Sequence, residues 1–211
     1  MHTKVLPKGS TKLLAKLSSV ESPALKGWIL AGGTGLALHM GHRVSEDFDF
    51  FRTDSMDLRA LYAILGTLGK YETLQEAEHT LTVIAMGVKL SFFRISERFL
   101  YKTTPYSFFE IADPRDIALM KLVAASSRGS RKDFVDLYTI LRGGIRIKDL
   151  FKDLSRKYQA GRTNEYHILK SLTYFEDAEK EPLPRMLVPF DWKECRKFFI
   201  RETQAIILPP A

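Results

Sequence analysis

Gly32-Gly33-Thr34-Gly35 and, ten residues further on, Ser45-Glu46-Asp47-Phe48-Asp49-Phe50-Phe51 decide how this chain is read. Residues 44–51 have the composition of a strand, and strand side chains alternate. Ser45, Asp47 and Asp49 are therefore expected on one face, with Val44, Phe48 and Phe50 on the other. Two carboxylates side by side repel when both are ionised. A hard divalent cation, Mg²⁺ or Mn²⁺, turns that repulsion into a ligand set, because it prefers carboxylate oxygen and keeps phosphate oxygens as its other ligands. The glycine pair, at a strand-to-helix turn, offers backbone N–H groups and a helix N-terminus to a phosphate. Gly32 and Gly33 are accordingly candidate nucleotide-binding residues, and Asp47 and Asp49 candidate metal ligands. A Gly-Gly turn alone is usually only a turn, and an Asp-x-Asp alone is often a solvated edge. Their joint occurrence on one strand–helix–strand run is far less easily accidental.

Working outward, Leu13, Leu14, Leu17 and Val20 recur at helical spacing, and residues 28–30 read as a short buried strand. Residues 34–40 suit a short helix stopped by Gly41. Leu58, Leu61, Leu65 and Leu68 define a helix led in by Asp54 and Ser55. Residues 81–85 and 88–95 read as two strands joined tightly around Gly87. From Ile111 the pattern turns helical. Asp113-Pro114-Arg115-Asp116 is a strong helix start, and further helices follow from residues 130, 147 and 168, with a last one after Asp191. The expectation is an α+β fold: a mixed-sheet core over residues 1–110, followed by a helical lobe over residues 111–211 packed on it.

The helical lobe carries its own candidates. Lys121 stands among Leu119, Leu122, Val123 and Ala125; such a lysine usually snorkels to solvent, but aimed at a triphosphate it would neutralise transition-state charge. Arg128, seven residues on, lies on the same face and is a candidate nucleotide-binding residue. Ser130-Arg131-Lys132-Asp133 has capping-box spacing, which assigns Asp133 to its helix start. Asp136, beyond the cap, has no such local task and is the candidate catalytic acid. A break at residues 126–130 would fold the second helix back, bringing Asp136 towards the same cleft as Lys121 and the Asp-x-Asp strand. His39 and His42 lack companions at metal-ligand spacing.

Composition sets the frame. The formal net charge is +7 and the sequence pI near 9.4, which favours polyanionic partners, nucleic acid first. The basic run Arg142, Arg146, Lys148, Lys152, Arg156, Lys157 and Arg162 carries few compensating acids, Asp149 and Asp153 among them; it is either a solvated helix face or, with Tyr158, a track for a nucleic-acid backbone. Cys195 is the only cysteine, so no intramolecular disulfide is possible. No apolar stretch reaches the length of a membrane span, and cytoplasmic localisation is expected.

These residues resemble a known family. The glycine turn followed by Asp-x-Asp is similar to the signature of the DNA-polymerase-β-like nucleotidyltransferases. More closely, residues 31–38 with 41–51 resemble the first motif of the AbiEii/AbiGii toxin family. Lys121-Leu122-Val123-Ala124, Arg128, Arg131, Asp133 and Asp136-Leu137-Tyr138 resemble its second, and residues 172–187 are similar to a subset of members. The resemblance implies Mg²⁺-dependent transfer of a nucleotidyl group from an NTP to an acceptor, tRNA 3′ ends foremost, by the toxin of a type IV toxin–antitoxin pair with an antitoxin partner. It implies Ser45, Asp47, Asp49, Lys121 and Asp136 as active-site residues, with Ser45 and Arg43 of the first motif as candidate nucleotide-binding residues. One departure stands out: the strand position where such enzymes commonly carry a third carboxylate falls at residues 88–92, where Lys89 and Ser91 stand. Asp136 is expected to stand in for it. The alternatives are a silent nucleotide- or RNA-binding module and nucleotide transfer onto a protein hydroxyl.

Overall fold

The structure is a computed structural model that describes residues 1–159 and 162–206. The chain divides into two compact units, Met1–Asp113 and Pro114–Ala211, the first an α+β unit and the second helical in its described residues.

In the first unit a seven-stranded mixed sheet carries three helices. The strands are β1 (Ile29–Ala31), β2 (Phe48–Arg52), β3 (Tyr71–Ala77), β4 (Thr80–Ala85), β5 (Val88–Arg94), β6 (Thr104–Tyr106) and β7 (Phe109–Ile111), in the order β3-β4-β5-β2-β1-β7-β6. β2 lies at the centre, antiparallel to β1 and parallel to β5. Phe48 and Phe50 are fully buried on its core face. Phe50 stacks on Phe92 of β5 with ring centroids 5.4 Å apart, and Phe92 meets the edge of Trp28 at 5.0 Å. Burying each phenylalanine stabilises the sheet by about 1.5–3 kcal/mol, which fixes the register of β2, since a one-residue slip would turn both rings to the other face.

Local chemistry sets the remaining elements. Helix α1 (Lys8–Ser18) buries Leu13, Leu14 and Leu17. Helix α2 (Gly32–Met40) ends at Gly41, whose φ of +66° is the left-handed conformation that stops a helix at least cost in glycine. Helix α3 (Leu58–Thr67) is capped by Asp57, whose carboxylate accepts from the Ala60 amide at 3.0 Å. Asp54, the cap expected from the sequence, pairs instead with Arg52, with both N···O distances 2.6 Å. β4 and β5 are joined by Met86 and Gly87, both at positive φ (53° and 77°), the two-residue turn whose twist matches that of the strands.

The second unit comprises α4 (Pro114–Arg128), α5 (Arg131–Arg142), α6 (Ile147–Lys157), α7 (Glu165–Ser171), α8 (Glu176–Lys180) and α9 (Trp192–Gln204). Its core is aromatic: Phe134 of α5 lies 5.2 Å from Phe175, 5.5 Å from Phe199 and 6.0 Å from Trp192, ring centroid to centroid. Arg131 ties three helices together. Its guanidinium donates to the Ala178 and Glu179 carbonyls and lies 4.8 Å over the Trp192 ring. No helix among the described residues is long and apolar enough to cross a membrane.

Candidate functional site

Asp47 and Asp49, the two candidate metal ligands, sit just before and at the start of β2. The strand begins at Phe48, so the expected strand over residues 44–51 is half loop. Only Asp49 is held by strand pairing, level with Ala31 on one side and Ser91 on the other; Ser45 and Asp47 are placed by other contacts. The Ser45 amide donates to Val5 O at 3.1 Å, and Ser10 Oγ donates to the Glu46 carbonyl at 3.1 Å. Buried Thr34 completes the clamp: its hydroxyl donates to the Asp47 carbonyl and lies 2.8 Å from Ser45 Oγ. Thr34, quoted with the glycines but given no role by the sequence, thus positions both Ser45 and Asp47. Both aspartate side chains remain half-buried beside a buried, aromatic strand face.

The glycines lie against these side chains. Gly32 has φ +63°, and a Cβ there would fall 2.6 Å from Asp49 Oδ2. A Cβ on Gly33 would collide with the Arg43 guanidinium and come within 3.3 Å of Ser45 Oγ. Both glycines open α2, whose N-cap residue, Ala31, makes no side-chain cap hydrogen bond. The first-turn amides of a helix have no intrahelical partner and favour anions. Arg43 is buried, with Nη1 donating to the Val44 carbonyl at 3.1 Å. Gly32, Gly33, Arg43, Ser45, Asp47 and Asp49 therefore gather at one end of the sheet. Lys89 of β5 joins them, its Nζ 3.0 Å from Asp47 Oδ2. His39 lies elsewhere, with Nε2 3.0 Å from the Ala112 carbonyl, and burial lowers its pKa.

The second unit holds a different constellation. Lys121 of α4 is buried, and its ammonium lies 2.8 Å from Asp133 Oδ1 and 2.8 Å from Asp136 Oδ2, both carboxylates fully buried on α5. Arg128 closes the cluster, donating from Nε and Nη2 to the two Asp133 oxygens at 2.7 and 2.8 Å. Burial alone would depress the Lys121 ammonium, but the charges of Asp136 and Asp133 outweigh it and hold its pKa above the ordinary value. Burial likewise pushes Asp133 up, and the hydrogen bonds from Arg128 with the charge of Lys121 hold it below the usual carboxylate range. The helix break does bring Asp136 to Lys121, since α4 ends at Arg128 and α5 starts at Arg131.

Two expectations are corrected here. Asp133 is no capping residue: Ser130 forms no side-chain cap, its hydroxyl donating to Glu181 Oε2 at 2.7 Å, and the same oxygen accepts the Arg131 amide at 2.8 Å. Glu181, about fifty residues away, caps α5 and leaves Asp133 to the two cations. The basic run is also less basic than it looks. Lys157 is buried, 2.8 Å from the buried Asp116; Arg156 pairs with Asp153 at 2.5 Å and Arg146 with Asp149 at 2.6 Å. Arg142 and Arg146 of the run also line a shallow cleft of about 300 Å³ with Phe198, Arg201 and the acidic Glu202, whose carboxylate lies 3.1 Å from Arg201 Nη2. The Arg201 guanidinium lies 5.4 Å from the Phe198 ring centroid.

Known proteins resemble this chain in sequence and in fold. The family model described as nucleotidyl transferase AbiEii toxin, type IV TA system, matches residues 13–210. The uncharacterized protein aq_aa25 of Aquifex aeolicus (strain VF5) is 38% identical over 182 residues, covering 83% of this chain and 85% of that protein. In structure the chain is similar to JHP933 from Helicobacter pylori, with TM-score 0.53 at 16% identity over 96% of this chain and 89% of that one. It is similar also to MenT4, the nucleotidyltransferase toxin Rv2826c from Mycobacterium tuberculosis H37Rv, with TM-score 0.53 at 14% identity over 94% and 84% of the two chains. At such identities the two structures speak for the fold. The family match, extending over both units, carries the assignment: the chain belongs to the AbiEii nucleotidyl transferase toxin family of type IV toxin–antitoxin systems and is a nucleotidyltransferase.

Proposed function

We propose that this enzyme moves an NMP group from an NTP to an RNA acceptor, tRNA 3′ ends foremost, using a divalent cation on Asp47 and Asp49. The observation that carries the reading is the convergence of two half-buried carboxylates with the Gly32-Gly33 backbone, Arg43 and Ser45 at one end of the sheet. The donor set fits a hard cation: carboxylate oxygens only, open enough to leave further positions to water and phosphate. When bound, Mg²⁺ or Mn²⁺ would neutralise phosphate charge and hold the triphosphate in line for displacement. The chain's own groups do the rest. The α2 amides and Ser45 bind phosphate oxygens, and Arg43 supplies a fixed positive charge. The acceptor hydroxyl attacks the α-phosphorus, the bond to the bridging oxygen breaks, and pyrophosphate leaves. On the family pattern Lys121 and Asp136 serve as catalytic residues and Arg128 as a nucleotide-binding one. The Arg142/Arg146/Arg201 cleft, with Phe198 as a stacking face, supports contact with an RNA backbone. An antitoxin protein is the further partner expected of the family, and the cytoplasm the compartment where all these meet.

Incubation with each α-³²P-labelled NTP, Mg²⁺ and total tRNA, and in parallel without RNA, tests this. Label is expected in tRNA and absent after Asp47→Asn. Label on protein alone would overturn the RNA acceptor, and transfer by Asp47→Asn within tenfold of wild type would remove Asp47 from the metal site.

A further inference from the structure

A base stands on the strand beside the two acids. β5 runs parallel to β2 with Ser91 level with Asp49 and Leu90 level with Phe48. Phe48, Leu90 and Phe92 all face the core, so Lys89 and Ser91 share the opposite face with Asp49. From there Lys89 reaches across to Asp47, Nζ to Oδ2 3.0 Å, with the two side chains 41% and 46% exposed. An ion pair this open to water adds little to folding. Its location matters more. The ammonium occupies a carboxylate oxygen that a divalent ion on Asp47 would need, and it screens the repulsion between two carboxylates two residues apart on the chain.

We propose that Lys89 is a built-in placeholder for the metal. It holds the Asp47 carboxylate in the metal-free chain, and the incoming divalent ion has to displace it. This inference rests on the reading of Asp47 and Asp49 as metal ligands. Physically it follows from charge: an ammonium within contact distance of a ligand carboxylate repels a divalent ion and competes for the same lone pairs. The site is thereby biased towards staying metal-free until the ion arrives at sufficient concentration. The displaced ammonium, tethered to β5, stays beside the site as an additional cation.

The test is Mn²⁺ binding alone, with no nucleotide, followed by the loss of the free-ion electron paramagnetic resonance signal. It uses the full chain as wild type, Lys89→Met, Lys89→Arg and Asp47→Asn. Removing the ammonium but keeping the stem in Lys89→Met is expected to tighten Mn²⁺ by about five- to tenfold, a screened fraction of the contact repulsion at a half-exposed site. Lys89→Arg is expected to stay near wild type, and Asp47→Asn to lose the ion. Thermal melts of the variants guard against misfolding. An affinity of Lys89→Met within twofold of wild type, or weaker, overturns the placeholder. If Asp47→Asn still loses the ion in that case, the metal site stands and only the role of Lys89 falls. No Mn²⁺ binding by either wild type or Lys89→Met, or binding unchanged in Asp47→Asn, overturns the metal site and the placeholder with it.

Discussion

Replacing Lys121 with methionine separates what the buried cluster of the second unit does for folding from what it does for transfer. Methionine keeps most of the lysine stem and deletes only the charge. In the native cluster one ammonium serves two fully buried carboxylates at 2.8 Å each. After Lys121→Met, Asp133 retains both hydrogen bonds from Arg128, whereas Asp136 loses that cation while remaining buried. Removing one partner of a buried ion pair costs about 3–5 kcal/mol, chiefly because a charge is left buried. The lower end applies here, since Arg128 still compensates half of the cluster. About 3 kcal/mol corresponds to a fall in Tm of roughly 6–12 °C at about 2–4 °C per kcal/mol for a chain of this size. The second variant decides the cause: adding Asp136→Asn to Lys121→Met removes the carboxylate charge that has lost this cation and is expected to recover about half of the loss or more, as non-additivity between contacting groups requires. Transfer should not recover with it. If Lys121 and Asp136 are catalytic, both variants fall by about 10²–10³-fold in turnover, although the double variant folds well. Urea or thermal unfolding beside labelled-NTP transfer reads both quantities. A single variant within about 1 kcal/mol of wild type, or a double variant no more stable than the single, refutes the electrostatic argument. A stable double variant with wild-type turnover refutes the catalytic one.

Three further outcomes follow from the same geometry. Gly32→Ala places a Cβ 2.6 Å from Asp49 Oδ2 at φ +63°, so about 1–2 kcal/mol of backbone strain is expected; Mn²⁺ titration and thermal melts should both register it, and an unshifted Mn²⁺ affinity would show that Asp49 escapes without loss of ligation. The pH dependence of unfolding has two limbs. Asp133 has a depressed folded-state pKa, so its stabilisation is present above the usual carboxylate range and is lost as pH falls through the folded value. Lys121 has a raised one, so its stabilisation is present below the ordinary lysine range and is lost as pH rises through the folded value. Urea midpoints across pH should show an acid limb that Asp133→Asn flattens, and an acid limb unchanged in that variant would dismiss Asp133 as its source. Finally, Arg142→Glu with Arg201→Glu should weaken tRNA binding and reduce its salt slope by about one unit for each phosphate no longer neutralised, with unchanged affinity and slope arguing against the cleft.

What could be read from the sequence follows one physical division. Gly41 and Gly87 were legible because each answers to its own backbone: a left-handed stop and a tight hairpin turn. Phe48 and Phe50 were legible because alternation on a central strand needs no knowledge of its neighbours. β3 was not, since its residues are almost all exposed; backbone pairing to β4 holds it, and an edge strand with both faces in water has no apolar period to detect. β6 and β7, at three residues each, are too short to carry a pattern. Lys89 with Asp47, and Lys157 with Asp116, are partners about forty residues apart, and nothing local in either segment announces the other.

Asp133 is the instructive case, because a sufficient signal lay in the sequence and a local rule hid it. Ser130 and Asp133 have capping-box spacing, but that motif only states that the first-turn amides need an acceptor; it cannot exclude one from elsewhere, and Glu181 supplies it. The stronger constraint is periodic. Residues three apart on a helix lie on one face, so an Asp136 turned inward carries Asp133 inward with it. Two buried carboxylates then demand buried positive charge. Lys121, set in an apolar stretch of the preceding helix, and Arg128, at the end of that helix, were the nearest basic residues able to supply it. Assigning one aspartate to chemistry and the other to a cap separates two residues that the helix period binds together. The four charges therefore form one electrostatic unit, and a substitution at any one of them is expected to disturb the other three.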